Sequence, residues 1–177
     1  MAAPGSLEAT TGNSIVAGSG TRFEAEELNV VRVTAGDHAT YEMTDFAPAG
    51  TFGSDKAVHW FGQSKPGDRI EFNVPVRKPG KYTVTLGLVK SWDYGIFQPM
   101  VDGKSVGKPL DLYSARPEEQ CFPLRVNVGT IQVTRKHILL AMRYVGVNPK
   151  SKSEPNPRSM GIDYVILTPA ATAKPRP

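Results

Sequence analysis

The chain has 177 residues, enough for one domain with a sizeable core and too few for two comfortable domains. Its 17 glycines and 15 prolines stand between short apolar runs, which predicts an all-β domain rather than a helical one. The formal net charge of +4 comes from scattered basic residues without a basic helix, so a nucleic-acid partner is not expected.

The two ends of the chain differ in composition from its middle. Residues 1–20 are rich in Ala, Gly, Ser and Thr without apolar periodicity, which indicates a flexible arm or linker, and residues 170–177 predict a flexible tail. The start lacks the pattern of a signal peptide, and no apolar run reaches the ~18 residues of a membrane span. An exported domain without its leader would look the same. We therefore expect the ordered domain over residues 21–169.

Two segments show the alternation that is typical of half-buried strands. Apolar and polar residues alternate in residues 68–75, and the same period of two recurs in residues 81–88. We expect these two strands to pair with each other in the core. Turn signals at residues 66–68 and 102–103 mark strand ends. Along the chain such signals recur about every ten residues, which is typical of a β-sandwich.

The run Ile138–Met142 breaks this alternation, because both faces of a strand here would be apolar. Burial on both sides would explain such a run, whereas an exposed apolar patch would mark an interface. The second interpretation would make the chain a structural or self-assembly module, with a homo-oligomer as its product. The sequence leaves both interpretations open.

Catalytic and zinc-binding patterns are missing from the sequence. Cys121 is the single cysteine and is expected to be a small core residue, because it has no partner for an internal disulfide. No histidine stands near a recognisable nucleophile turn. Glycoside hydrolysis needs paired carboxylates, but the spacing of Asp93, Asp111, Glu118 and Glu119 does not distinguish them from surface acids. We therefore expect a non-catalytic domain.

Several short motifs follow one another in a familiar order. They are Phe23-Glu24-Ala25-Glu26, Lys65-Pro66-Gly67-Asp68, Lys78–Val84, Asp93–Gln98, Val101–Lys104, Leu110–Tyr113 and Gly161–Tyr164. Together they resemble the jelly-roll domains beside the catalytic domain of difructose-anhydride-type glycoside hydrolases and, more distantly, carbohydrate-binding modules of families 6 and 35. The resemblance implies an antiparallel β-sandwich of the galactose-binding type. It also implies a secreted, cell-surface or periplasmic location, a glycan as ligand, and a glycoside hydrolase domain as fused or separate partner.

The resemblance further implies a structural Ca²⁺ near the ends of the first and last strands. Glu24, Glu26 and Asp163 match the carboxylates of that motif. Such a site is physically reasonable, because a hard cation takes oxygen ligands and cancels the repulsion between carboxylates from distant strands. The alternative is that Glu24 and Glu26, which share one strand face, are merely solvated.

A sugar site in such modules resembles a cleft at the loop edge, with aromatic faces for the sugar C–H groups and polar groups for its hydroxyls. In the turn after the strand of residues 81–90, the candidates are Trp92, Asp93 and Tyr94. Asn148, in the turn before the last strand, best matches the ligand-binding amide of the family. Trp60 with His59 is a third candidate, although the apolar run around Trp60 favours a core position.

Overall fold

The structure, a computed structural model, describes residues 14–16, 20–62, 65–115, 120–151 and 159–170. These residues form two antiparallel β-sheets, with single 3₁₀ turns at Ala25–Glu27 and Met43–Asp45. The prediction of an all-β antiparallel sandwich is therefore confirmed. Within the described ranges, no helix is long and apolar enough to cross a membrane.

Thirteen strands lie in the described part of the chain. They are β1 (Ser14–Val16), β2 (Gly20–Glu24), β3 (Asn29–Val33), β4 (Asp37–Glu42), β5 (Lys56–Phe61), β6 (Arg69–Pro75), β7 (Gly80–Lys90), β8 (Ile96–Val101), β9 (Lys104–Ser105), β10 (Leu110–Asp111), β11 (Phe122–Val133), β12 (His137–Gly146) and β13 (Met160–Pro169).

Strand β13 lies at the centre of the first sheet. It pairs with β7 on one side, and β7 in turn pairs with β11. On its other side β13 pairs first with β5, where Gly161 is opposite His59, and then with β2, where Val165 is opposite Phe23. Strand β4 pairs with β5, and strand β1 pairs with β2. The acidic opening strand and the last strand thus lie side by side, as expected from the sequence.

Strand β1 falls inside the segment that the sequence predicted to be a flexible arm. Its Ser14–Val16 backbone pairs with the start of β2, where Ile15 is opposite Thr21. The rest of the predicted arm, apart from Gly20 in β2, lies outside the described residues. Of the predicted tail, only Ala170 lies within them.

Strand β12 is central in the second sheet, between β6 and β8, and β3, β9 and β10 complete that sheet. This position explains the apolar run Ile138–Met142. Ile138, Leu140 and Met142 are fully buried, and Ala141 is nearly so. The burial interpretation of this run is confirmed.

The expected pairing of the strands at residues 68–75 and 81–88 is wrong. β6 belongs to the second sheet, between β12 and β3, whereas β7 belongs to the first, between β13 and β11. The chain crosses between the sheets at Val76, which is buried and whose amide donates to the Lys136 carbonyl at 2.8 Å. An alternating pattern shows that one face is buried, but it is equally compatible with a neighbour in the same sheet and one across the core.

Side chains from both sheets fill one core. Trp60, Phe72 and Phe97 are among its largest fully buried members. The Trp60 indole Nε1–H donates to the Ala35 carbonyl at 2.9 Å, so its polar group is satisfied inside the protein. Trp60 therefore cannot stack on a ligand, and the third candidate sugar site is wrong in this respect. Cys121 is buried, as expected.

Candidate functional site

A cavity of about 220 Å³ lies against the outward face of β4 and β5, below the segment that joins them. Its most prominent feature is a set of ring side chains that come from three separate parts of the chain. These are Tyr41, Phe46, His59, Phe61, Trp92 and Tyr94. The described lining also includes one carboxyl, two hydroxyls and a thiol, from Asp93, Ser91, Ser159 and Cys121.

The alternation of side chains along the strands supplies part of this lining. In β5, His59 and Phe61 face away from the core because Trp60, between them, faces into it. Tyr41 of the neighbouring strand meets His59 edge-on, with ring centroids 4.6 Å apart. Opposite His59, a Cβ on Gly161 would lie 2.8 Å from the Val89 side chain and 3.3 Å from His59 Nε2. Glycine at this position therefore leaves the space that the imidazole occupies.

The turn after β7 supplies the predicted residues Trp92, Asp93 and Tyr94. The turn is fixed at its first residue, where the Ser91 amide donates to the Leu112 carbonyl at 3.1 Å. At its end the Gly95 amide donates to the Ser159 carbonyl at 3.2 Å. The structure thus brings together three of the four residues predicted to bind a ligand.

A hydrogen-bonded chain forms the floor of the cavity. The Tyr94 hydroxyl lies 2.8 Å from His59 Nδ1, and His59 Nε2 lies 3.3 Å from the Met43 sulfur. A thioether can only accept, so Nε2 carries the imidazole proton and donates it. Nδ1 then accepts from the Tyr94 hydroxyl. Both rings are consequently held in fixed orientations.

Burial keeps the floor uncharged. It lowers the pKa of His59 to about 4, so the imidazole is neutral at neutral pH. It also raises the pKa of Tyr94 well above its ordinary value and that of the Cys121 thiol to about 11. These shifts have the same physical cause, because each charged form would lose its hydration.

The rim of the cavity is aromatic and exposed. Tyr41 and Phe46 keep 39% and 36% of their surface accessible, which places them among the five most exposed large apolar side chains in the described residues. Their ring centroids are 6.4 Å apart. Sequence reasoning missed both residues, although an aromatic ring amid the polar residues of the segment 37–46 is a detectable signal.

Asn148 does not line this cavity. Its side-chain NH₂ group donates to Asp111 Oδ2 at 2.5 Å, and its side-chain oxygen Oδ1 accepts from the Lys150 backbone amide at 2.8 Å. The Ser151 backbone amide donates to the backbone carbonyl of Asn148, and the Ser151 hydroxyl donates to the backbone carbonyl of Trp92 at 3.2 Å. The turn that contains Asn148 is therefore hydrogen-bonded to the backbone of Trp92.

The predicted metal ligands Glu24, Glu26 and Asp163 lie in one neighbourhood, apart from the cavity. The Asp163 side chain is 4% exposed and accepts from the Gly53 amide at 3.0 and 3.2 Å. Burial raises the pKa of Asp163 to about 6, and the Glu24 and Glu26 carboxylates raise it as well, against the Gly53 amide and Arg22, which lower it. The three acids lie close together, because the adjacent residues Gly53 and Ser54 bind Asp163 and Glu26, and Arg22 contacts both Glu24 and Asp163.

The same neighbourhood contains a positive charge from the protein. Arg22 binds Glu24 through Nε at 2.6 Å and Nη2 at 3.0 Å, and its Nη2 is 3.9 Å from Asp163. Within the described ranges, no three Asp, Glu, His or Cys side chains have an arrangement that could hold a metal ion. However, Glu26 Oε2 is buried without a partner, while the other oxygen of this carboxylate accepts from the Ser54 hydroxyl. That unpaired oxygen fits a hard cation, whereas Glu24 would have to exchange its bond with Arg22.

Neither a protein-family model nor a curated protein sequence matches this chain. Solved structures with the same fold include a Paenibacillus xanthan lyase, with a TM-score of 0.69 and 22% identity over 84% of this chain and 13% of the lyase. Another is a GH26-CBM35 β-(1,4)-mannanase from Podospora anserina, with a TM-score of 0.52 and 16% identity over 88% of this chain and 29% of the enzyme.

A family 35 carbohydrate-binding module from Clostridium thermocellum also shares the fold. Its TM-score is 0.52 and its identity 15%, over 86% of this chain and 99% of the module. The chain thus corresponds to a small part of the two enzymes and to nearly the whole of the module. At these identities the likeness shows a common fold.

Proposed function

We propose that this chain is a non-catalytic carbohydrate-binding domain and that its ligand occupies the aromatic cavity. The observation that carries this proposal is the position of Tyr41 and Phe46, whose exposed rings line one cavity together with the predicted residues Trp92 and Tyr94. Aromatic faces suit the apolar C–H faces of a sugar, and the serine hydroxyls and Asp93 suit its hydroxyl groups. A cavity of about 220 Å³ is small beside the ~300–1,000 Å³ of most ligand pockets, which favours one sugar unit or a chain end.

The charge distribution in the cavity supports a binding role over a hydrolytic one. Glycoside hydrolysis uses two carboxyl groups at ~5–5.5 or ~6.5–9.5 Å from each other. Asp93 is the single carboxyl group among the described lining residues. Of the other acids weighed from the sequence, Asp111 is bound to Asn148, and Glu118 and Glu119 lie outside the described residues.

We propose that the domain assists a glycoside hydrolase, either fused to it or as a separate partner. The fold shared with one part of a mannanase chain and with the whole of a family 35 module supports this role. The motifs that resemble those of difructose-anhydride-type hydrolases favour an enzyme of that type as the partner, and this assignment is part of our proposal. A secreted, cell-surface or periplasmic location follows from it, since polymeric glycans are met outside the cell.

Two other predicted features receive specific roles. Asn148 is proposed to hold the turn that supports the Trp92 backbone, because its amide is already bound to Asp111. Glu26 and Asp163, with Glu24 after release from Arg22, are proposed to hold a structural Ca²⁺. The unpaired buried oxygen of Glu26 supports the second role.

Screening the full chain on a glycan array, with calcium and with chelator, tests the proposal. We expect binding of a defined glycan class that is weakened by substitutions in the cavity. The absence of binding to every glycan under both conditions would contradict it. Light scattering on the same sample tests the self-assembly alternative. The apolar run Ile138–Met142, on which that alternative partly rested, is buried in the core of the domain.

A further inference from the structure

The charge of the aromatic cavity is the feature that carries the inference furthest. Among its described lining residues there is no lysine or arginine, and His59 is neutral because burial lowers its pKa to about 4. Asp93 supplies the one carboxyl group of this lining. A ligand that fills the cavity therefore meets an acidic group and no basic side chain among the described lining residues.

Asp93 differs in its bonding from several other acids of the part of the chain that the structure describes. Elsewhere in the described residues, Glu24 is bound by Arg22, Glu71 by Arg69 at 2.5 Å and Asp102 by Arg135 at 3.2 Å. The Asp93 carboxylate makes no hydrogen bond or ion pair with the described chain. Its charge nevertheless reaches the buried groups beside it, because it contributes to the raised pKa values of Tyr94 and Cys121. It is thus a carboxyl group without a partner among the described residues, in the lining of a largely aromatic cavity.

The rings around this anion have a matching preference. The face of a tyrosine, tryptophan or phenylalanine ring carries negative potential and attracts cations, by ~0.5–1 kcal/mol at exposed sites and about 2 when water is excluded. Tyr41 and Phe46 come from one segment of the chain and Trp92 from another, and all three share this cavity. Aromatic faces combined with a free carboxylate are the combination that recognises an alkylammonium group.

We propose that the sugar bound in this cavity is an amino sugar with a free, protonated amine, whose ammonium group binds Asp93 and the aromatic rim. This inference rests on the proposed carbohydrate-binding function and specifies its ligand class. Neutral hexoses would still meet the rings, but they would leave the carboxylate without a counter-charge. N-acetylated sugars and uronic acids would be disfavoured, the first for lack of charge and the second by repulsion.

Calorimetric titration of the full chain with matched β-1,4-linked oligosaccharides tests this inference. The probes are oligomers of glucosamine, of N-acetylglucosamine and of glucose, of equal length, at about pH 6. We expect the glucosamine oligomer to bind about tenfold more tightly than the other two, in line with a charge-assisted bond over aromatic faces. This preference should disappear at about pH 9, where the amine is neutral.

Asp93→Asn should remove the preference while the weaker binding of the glucose oligomer is kept. Glu27→Gln, which removes one exposed carboxylate outside the cavity, should leave the preference intact. Equal affinity for the amine and its acetylated form, or an unchanged preference in Asp93→Asn, would overturn the inference and leave the carbohydrate-binding function standing. Failure of all three oligomers and of the glycan array would instead contradict the proposed function itself.

Discussion

The hydroxyl oxygen of Tyr94 lies 2.8 Å from Nδ1 of His59 and joins the turn after β7 to the outward face of β5. Residues 35 positions apart in the chain thus form one buried pair at the floor of the candidate site. The pair ties the stability of the fold to the geometry of the cavity, because neither ring can move without breaking the bond.

His59 should make the protein sensitive to acid. Burial lowers the pKa of His59 to about 4 in the folded protein, whereas an imidazole in the solvated, unfolded chain has a pKa of 6.5. Between these two pH values the unfolded chain therefore binds a proton that the folded protein does not. The resulting stability is fully present above about pH 6.5 and is lost as the pH falls toward 4. Between pH 7 and 5 the loss should be about 2 kcal/mol.

Urea unfolding of the wild type and of His59→Phe at several pH values checks this effect. The variant keeps an aromatic ring but has no proton to bind, so the difference in unfolding free energy between the two proteins isolates His59. The two profiles should diverge as the pH falls below 6.5. Parallel profiles would contradict the assignment of a neutral, buried imidazole.

Trp92→Ala and Phe46→Ala should each weaken glycan binding. Loss of one stacking ring removes about 1 kcal/mol or more, equivalent to roughly fivefold in affinity. Val31→Ala is the matched control, because Val31 is 46% exposed but lies on the second sheet. Affinities come from titration with the best glycan of the array. Full affinity in both ring variants would place the ligand elsewhere on the domain.

Ca²⁺ should stabilise the protein through Glu26. An ion that binds only the folded state adds about 2.7 kcal/mol at a concentration of 100 times its Kd. Thermal unfolding with calcium and with chelator measures this gain, and Glu26→Gln should abolish it. Glu27→Gln is a neighbouring control, since Glu27 is exposed. An unfolding temperature of the wild type that is the same with calcium and with chelator would contradict the Ca²⁺ site. Arg22 would then be the positive charge that offsets the acidic cluster.

Gly87→Ala should destabilise the fold. A Cβ at this position would lie 2.3–2.5 Å from the Tyr164 ring, and that ring is covered on another side by the Arg22 guanidinium, 3.7 Å from its centroid. The ring would have to shift, at a cost of about 1–3 kcal/mol. Gly146→Ala is the control, because a Cβ there would meet no atom within 4 Å. Equal unfolding free energies for both variants would disprove the tight contact.

Cys121 should resist thiol reagents in the folded protein. Its thiol is buried and its pKa of about 11 leaves about 100-fold less thiolate at pH 8 than an ordinary pKa of 9.0 would. Alkylation should therefore be slow in buffer and fast in denaturant, as followed by mass spectrometry. Rapid alkylation in buffer would show that the thiol is accessible from the cavity.

The local pattern of the sequence was sufficient for the fold class. Alternation in residues 68–75 and 81–88 identified two strands. The apolar run Ile138–Met142 left burial and an exposed patch both open, and the structure decided for burial. Trp92, Asp93 and Tyr94, which the resemblance suggested as ligand-binding candidates, lie together because one short turn holds all three. These features depend on neighbours in the chain, and periodicity and turn chemistry record such neighbours directly.

Partners that are distant in the chain were decided by the tertiary structure alone. The sequence determined that β6 and β7 each bury one face, but only the packing of the two sheets placed them on opposite sides of the core. The sequence likewise did not indicate that Tyr41 and Phe46 would line one cavity with Trp92, or that Arg22 would lie against Glu24 and Asp163. A binding site is made where strands far apart in sequence converge, and their convergence depends on the free energy of the whole core rather than on any local segment.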